Sequence, residues 1–162
     1  MSELGEIYFA VRSMGVSSSG YHVLQYAFVD SRGEVVMSAY THAPSPVALI
    51  GSAPANVGAE PLSPEAFERM ATQVCAGARL IGFHKRLQAG LLPDSARRAA
   101  AGVHCAARRF EKRVGRGKVG GPGEAAALAD CLAYAGLPAP SGDDAVADAR
   151  AVRDLWRWAQ GG

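Results

Sequence analysis

Three apolar runs follow one another near the start of the chain: Ile7-Tyr-Phe-Ala-Val-Arg-Ser-Met-Gly15, Tyr21-His-Val-Leu-Gln-Tyr-Ala-Phe-Val29 and Val35-Val-Met-Ser-Ala-Tyr40. Each run is rich in β-branched and aromatic residues, which favour strands. Between them lie residues 17–20 and 30–33, whose Ser, Gly and Asp content is typical of turns. Successive strands joined by short turns pair in antiparallel fashion, so this region predicts a three-stranded antiparallel meander.

The rest of the chain alternates between helical and strand patterns. Ser63 followed by Pro64 predicts the start of a helix that ends at Gly77. Further strands are expected at 79–83 and 103–105, with a short one at 47–50 inside a Pro-rich loop (42–61). Further helices are expected at 84–92 and 106–114, from 124 to 135, and after Asp144. This order predicts an α/β layered domain with a mixed sheet, because helical crossovers join the later strands.

The overall composition predicts an ordinary globular chain. Its 162 residues suit a single domain, 1–162, that is long enough to bury a core. No apolar run approaches the roughly 20 residues that cross a bilayer, and residues 1–6 lack the features of a signal peptide. Cys75, Cys105 and Cys131 are odd in number, which favours a reducing compartment and a role as small buried side chains. We therefore expect a cytoplasmic protein without a membrane segment.

Positive charge is concentrated in the middle of the chain. Residues 79–118 hold 11 Lys and Arg against two acids, a local balance of +9, whereas the remainder has a balance of −7. An uneven distribution of this kind can create a basic face on a nearly neutral protein. A polyanion such as nucleic acid is the ligand class that this asymmetry indicates.

The predicted helix 106–114 carries most of this charge. Its basic residues follow helical spacing and form one stripe, which either contacts phosphates or is simply a solvated helix face. Phe110 is the only aromatic residue among them, so the sequence gives no sign of a base-stacking platform. Residues 115–123 are rich in glycine and predict a flexible loop. The candidate nucleic-acid contacts are Arg12, Lys85, Arg86, Arg108, Arg109, Lys112, Arg113, Arg116 and Lys118.

Two tryptophans lie near the C-terminal end of the last predicted helix. Trp156 and Trp158 are two residues apart, so they cannot share one face of a helix. Trp156 continues the apolar stripe and is expected in the core. Trp158 is a candidate for an exposed position at an interface.

The element order and several local phrases resemble the DnaQ-like 3′–5′ exonucleases of the ribonuclease H-like fold, over roughly residues 6 to 158. The first strand and its Gly15 turn match the frame of the family's Asp-x-Glu strand. Ile81-Gly-Phe-His-Lys-Arg-Leu-Gln88 matches a second signature, and Asp143-Asp-Ala-Val-Ala-Asp148-Ala149 matches a third. The resemblance implies a ribonuclease H-like layered domain.

The resemblance also implies a site in which carboxylates hold two divalent metals and a histidine acts as base. This chain departs from that set at nearly every position. The Asp-x-Glu positions are Ala10 and Arg12, the second-signature acid is Gln88, and the histidine position is Asp143. Asp148 alone is retained, as a weak candidate metal ligand. Because hard cations such as Mg²⁺ need several oxygen ligands, we expect no metal and no cofactor.

Arg12 is the most informative of these departures. Strand residues alternate between faces, so Arg12 should point to the same side as Ala10. There it could form a salt bridge with Asp148, or it could face solvent at the end of the strand. Asp148 itself could equally be an exposed acid in the first turn of a helix, where the helix N-terminus favours negative charge.

These observations lead to three functional hypotheses. The first is a catalytically degenerate exonuclease-fold protein that binds nucleic acid, a nucleotide or a protein partner through the former active-site cleft and a basic face. The second is an active 3′–5′ exonuclease with rearranged ligands for Mg²⁺ or Mn²⁺. The third is a structural module that forms a homodimer.

Overall fold

The first apolar run forms strand β1 (Glu6–Val16). The computed structural model describes residues 5–16, 22–42, 62–83, 90–115, 118–119, 127–140 and 144–161. Within these residues the other strands are β2 (His22–Val29), β3 (Val35–His42), β4 (Arg79–Gly82) and β5 (Gly102–Cys105). The helices are α1 (Pro64–Cys75), α2 (Asp94–Ala99), α3 (Ala106–Val114), α4 (Leu128–Ala135) and α5 (Ala145–Ala159).

In the described part of the chain the strands form one mixed sheet in the order β3-β2-β1-β4-β5. Strand β1 is central, pairing antiparallel with β2 and parallel with β4. Strand β3 is antiparallel to β2, and β5 is parallel to β4. In the β1–β2 register Arg12 lies opposite Gln25, which places both residues on the same face of the sheet.

The alternation of side chains along β1 builds two cores, one on each face of the sheet. Tyr8 and Ala10 belong to a cluster with residues of α3, α4 and α5. Phe9 and Val11 belong to a second cluster with residues of α1 and α2. The domain therefore has helices on both faces of the sheet. Even-numbered residues of β1, such as Tyr8 and Ala10, face one helical layer, and odd-numbered residues, such as Phe9 and Val11, face the other.

Local sequence signals explain where several helices begin and end. Ser63 caps α1 by accepting a hydrogen bond from the amide of Ala66, as predicted. Asp144 caps α5 by accepting one from the amide of Ala147. Gly136 ends α4 in the left-handed conformation with φ of 74°, which glycine adopts without a steric penalty.

The structure confirms an α/β domain with a mixed sheet and corrects three elements. In the described part of the helix expected from residue 124, Ala127 has extended backbone angles and the helix begins at Leu128. Helix α2 was not predicted, since its six residues are too few to show a helical repeat. The predicted helix 84–92 is wrong at its end, because residues 90–92 form a turn and not a helix. Residues 84–89, the predicted strand at 47–50 and most of the glycine-rich loop lie outside the described residues. None of the helices described is long and apolar enough to span a membrane.

Candidate functional site

Arg12 and Asp148 form an ion pair between the central strand and the last helix. Arg12 Nε lies 2.8 Å from Asp148 Oδ2, and Arg12 Nη2 lies 3.4 Å from Asp148 Oδ1. The two side chains are only 22% and 17% exposed, so the pair is largely shielded from water. The structure thus places Arg12 in the salt bridge and not at a solvent-facing strand end.

The position of Asp148 follows from how the N-terminus of α5 is held against the sheet. Gln25 of β2 is 3% exposed, and its Oε1 accepts a hydrogen bond of 2.8 Å from the amide of Ala145. The Asp144 carboxylate accepts a hydrogen bond of 2.8 Å from a second amide of the helix, that of Ala147. These bonds satisfy two donors that a helix N-terminus leaves unpaired, and they place the first turn of α5 above Arg12. No sequence pattern singles out Gln25, because only the fold brings it to the helix.

Of the other positions that the exonuclease resemblance implies for a metal site, the structure describes only Ala10. Ala10 is 2% exposed and contributes a methyl group to the core under α5. Gln88 and Asp143 lie outside the described residues. Across the described ranges no three His, Cys, Asp or Glu side chains come together as a metal site would require. Around Arg12 the described residues pair one carboxylate, that of Asp148, with one guanidinium.

Helix α3 presents its cations to solvent and its apolar residues to the core. Ala106, Ala107 and Phe110 are buried, whereas the basic residues Arg108, Arg109, Lys112 and Arg113 are exposed. Lys118, just after the helix, is also exposed. Lys85, Arg86 and Arg116 lie outside the described residues. The predicted basic stripe thus exists on α3 and is exposed to solvent.

Two surface clefts flank this stripe, which we call the α3 ridge (Arg108, Arg109, Lys112 and Arg113). One cleft, of about 480 Å³, is lined by the outer strand β5, by Trp156 and by α3 residues that include Arg108. The other, of about 470 Å³, is lined by Arg113 and the end of α5 at residues 159–161. Arg109 and Lys112 border both clefts. An extended polyanion lying across the ridge would therefore meet cations on either side.

The tryptophans of α5 hold two of these arginines in place. The Arg109 guanidinium lies 4.9 Å from the ring centre of Trp156, and that of Arg113 lies 4.0 Å from the ring centre of Trp158. Arg113 also donates a hydrogen bond to the Trp158 carbonyl. Cation–π contacts of this kind restrict the side chains, so less conformational entropy remains to be lost on ligand binding. Trp156 is core, as predicted, at 2% exposure, whereas Trp158 is half-buried beneath Arg113.

Three aromatic rings from different helices meet beside the α3 ridge. The Phe110 ring centre lies 5.7 Å from that of Tyr134 on α4 and 5.7 Å from that of Trp158 on α5. Tyr134 is 53% exposed, although Phe110 is buried. The sequence does not predict this group, because among the basic positions of α3 only Phe110 is aromatic and its two partners come from other helices.

The ion pair and the α3 ridge are two separate places on the surface. Asp148 lies in the first turn of α5, whereas Trp156 and Trp158 lie in its last turns. At 1.5 Å per residue, Asp148 and Trp156 are about 12 Å apart along the helix axis. Neither of the two clefts beside α3 is lined by Arg12 or Asp148.

Cys75 and Cys131 do not have the character of reactive nucleophiles. Burial raises the pKa of Cys75 to about 11, and burial together with the charges of Asp130 and Glu111 raises the pKa of Cys131 to about 11. Both thiols are therefore protonated near neutral pH, and their role is to fill the core. Cys105 is half-buried and borders the cleft beside β5.

Comparison with known proteins adds no assignment, since no protein-family model and no curated protein matches this chain.

Proposed function

We propose that this chain is a catalytically degenerate protein of DnaQ-like exonuclease type that binds nucleic acid through the α3 ridge. The observation that carries the proposal is the set of exposed cations Arg108, Arg109, Lys112 and Arg113 on a single helix between two clefts. Cations spaced along a helix face can contact successive phosphates of a nucleic acid. Such phosphate contacts supply most of the affinity of a protein that binds nucleic acid without sequence preference.

The relationship to the exonuclease fold is supported by the sheet and by the position of Asp148. A meander of antiparallel strands followed by parallel strands with helical crossovers is the order that the resemblance implies. Asp148 sits on the last helix and faces β1 at Arg12, the position at which the family carries an acid. This arrangement supports a ribonuclease H-like layering of the domain.

The positive charge of Arg12 opposes metal-dependent catalysis at Asp148. A guanidinium fixed 2.8 Å from Asp148 already neutralises the one carboxylate that the resemblance retains. A divalent cation at that place would have to displace the guanidinium and also lose water, which Mg²⁺ gives up reluctantly. Ala10 offers no oxygen to compensate. Binding is therefore proposed to persist where cleavage does not.

The test of binding is a titration of labelled single-stranded and duplex oligonucleotides at several salt concentrations. Each phosphate contact contributes about −0.7 (single strand) or −0.9 (duplex) to the slope of log K against log salt. The double variant Arg108→Ala/Lys112→Ala should weaken binding and make this slope shallower by about 1.4 for a single strand. The charge-matched control Arg69→Ala/Arg98→Ala removes exposed cations of α1 and α2, on the other helical layer, and should bind like the wild type.

Failure of the wild-type chain to bind either oligonucleotide in a salt-dependent way would overturn the proposal and leave a protein partner as the ligand. Equal weakening by both double variants would show that only net charge matters and not the ridge. Incubation of a labelled oligonucleotide with Mg²⁺ or Mn²⁺ tests the other half of the proposal. Shortening that is lost in Asp148→Ala would identify an active exonuclease with rearranged ligands.

A homodimer through the outer strand β3 is the second candidate. Val35 and Val36 are 44% and 46% exposed on this strand, which lies at the edge of the described sheet, and an exposed apolar edge strand can pair with another chain. Light scattering over a range of concentrations would give twice the chain mass for a dimer. Val35→Lys/Val36→Lys should then restore the monomer, because charge on an outer strand opposes edge pairing.

A further inference from the structure

We propose that Tyr134 is the contact point of a base-stacking site, completed by Phe110 and Trp158, which receives an unpaired base of a bound nucleic acid. This inference rests on the proposed function and adds to it a second kind of contact, made to a base and not to a phosphate. The site lies at the opposite end of α5 from the Arg12–Asp148 pair.

The rings form a continuous group with one exposed member. Tyr134 meets Phe110 edge to face, with an interplanar angle of 86° and ring centres 5.7 Å apart. Phe110 in turn lies 5.7 Å from Trp158, with an interplanar angle of 32°. Phe110 is 1% exposed and supports both neighbours from below, whereas Tyr134 is 53% exposed. Tyr134 therefore has ring surface open to solvent on a fixed support, which is what a stacking residue needs.

The local charge favours a base over a phosphate at this point. Tyr134 and Trp158 lie in the last turns of α4 and α5, where the helix macrodipoles place partial negative charge. At Trp158 the full positive charge of Arg113, which donates a hydrogen bond to the Trp158 carbonyl, exceeds that partial charge, so the preference for a base applies at Tyr134. Arg108 lies in the first turn of α3, where the helix macrodipole places partial positive charge. A nucleic-acid strand with phosphates near Arg108 places its negative charge at the positive end of α3. A neutral base on Tyr134 brings no negative charge to the negative end of α4.

The geometry selects an unpaired base. In a duplex the base faces are covered by their neighbours in the stack, and only the edges are accessible in the grooves. Single strands can turn a base outward and stack it on an aromatic side chain, whatever the base, because every base has a π-face. The site therefore predicts a preference for single strands, of DNA or RNA, over duplexes of the same charge.

The experiment compares Tyr134→Ala with Tyr134→Phe in titrations with a single-stranded DNA, a single-stranded RNA and a duplex. Loss of one stacked base should weaken single-strand binding about 5- to 150-fold in Tyr134→Ala. Tyr134→Phe should bind like the wild type, since the ring is retained. The slope of log K against log salt should be unchanged in both variants, because no phosphate contact is lost. Duplex affinity should change less than twofold.

A matched control is Met70→Ala, which removes a large exposed apolar side chain (43% exposed) from α1 on the other helical layer. It should leave all three affinities unchanged. Thermal unfolding of Tyr134→Ala checks that the fold is retained, and Tyr134→Ser provides a second variant that lacks the ring.

The outcomes separate this inference from the proposed function. Ridge-dependent binding that is equal in wild type and Tyr134→Ala overturns the stacking site and leaves the phosphate contacts standing. A shallower salt slope in Tyr134→Ala also overturns it, because the effect would then be electrostatic. No binding by the wild type overturns both proposals. A wild-type dimer that Tyr134→Ala converts to a monomer assigns Tyr134 to a protein interface and overturns the stacking site.

Discussion

Arg12 and Asp148 are joined by a two-point ion pair although they lie 136 positions apart in the chain, with Nε to Oδ2 at 2.8 Å and Nη2 to Oδ1 at 3.4 Å. The pair ties the central strand to the first turn of the last helix. It also places a fixed positive charge beside Asp148, the one acidic residue that matches an acid implied by the exonuclease resemblance. The pair accounts for a structural role of both residues without any metal.

A double-mutant cycle measures the strength of this pair. Arg12→Ala, Asp148→Ala and the double variant should show a coupling free energy of about 1 kcal/mol, because the pair is shielded but not fully removed from water. Urea unfolding of the four proteins gives the values. The coupling should fall in 1 M salt. Strictly additive effects of the two substitutions would show that the contact contributes nothing to stability.

A second prediction concerns divalent cations. The double variant Ala10→Asp/Arg12→Glu replaces the methyl and guanidinium groups with carboxylates near Asp148, and we expect it to be less stable than the wild type without metal. Mn²⁺ should raise its thermal midpoint by a few degrees, since ligands that bind the folded state stabilise it. The wild type should show no shift. A similar shift in both proteins would point to a cation site elsewhere.

Gln25 should be sensitive to substitution because it is a buried polar residue with a specific task. Gln25→Leu removes the acceptor for the Ala145 amide and leaves that donor unpaired beneath α5. We expect a loss of about 1–3 kcal/mol in the free energy of unfolding. Gln25→Glu keeps an acceptor at a helix N-terminus and should lose less. If Gln25→Leu is as stable as the wild type, water replaces the lost bond.

Gly82 makes the closest approach of a backbone to a core ring in β4. A Cβ atom added there would lie 2.7 Å from the Phe9 ring, which is fully buried and cannot move aside freely. Gly82→Ala should therefore cost about 1–3 kcal/mol through overpacking. Gly5→Ala is the matched control, because nothing lies within 4 Å of a Cβ there. Chemical denaturation of both variants checks the difference, and an equal effect at both positions would refute this explanation.

Alkaline pH should destabilise the fold through the buried thiols. Burial raises the pKa of Cys75 and Cys131 from 9.0 to about 11. Between these values the unfolded chain loses protons that the folded chain keeps, so stability is intact below about pH 9 and falls as the pH rises toward 11. Each thiol should contribute a loss of about 1 kcal/mol at pH 10. Burial also raises the pKa of Tyr26, to about 12, which acts in the same direction.

Urea unfolding at pH 8 and pH 10 measures this loss. Cys75→Ala/Cys131→Ala should show a smaller difference between the two conditions, whatever its absolute stability. An unchanged pH dependence in that variant would assign the effect to tyrosines. As an independent check of burial, a thiol reagent should label the half-buried Cys105 first and the other two only on unfolding.

Local signals in the sequence were enough to predict most of the secondary structure. The alternation along residues 7–16 placed Ala10 and Arg12 on one face, and Ser63 marked the start of α1. Both signals act within a few residues and do not depend on the rest of the fold. The position of α2 was not predictable, because six residues give no readable periodicity.

The sequence by itself determined the strand pattern, the basic face of helix α3 and the presence of Ala10 and Arg12 on one face of the first strand, because charge and periodicity are properties of neighbouring residues. Only the tertiary structure decided which of these features meet. It joined Arg12 to Asp148, placed Gln25 under α5, and gathered Tyr134, Phe110 and Trp158 from separate helices. It also set the basic helix at the far end of α5 from Asp148. Contacts between distant segments depend on how helices pack across a sheet, and no local pattern specifies that packing.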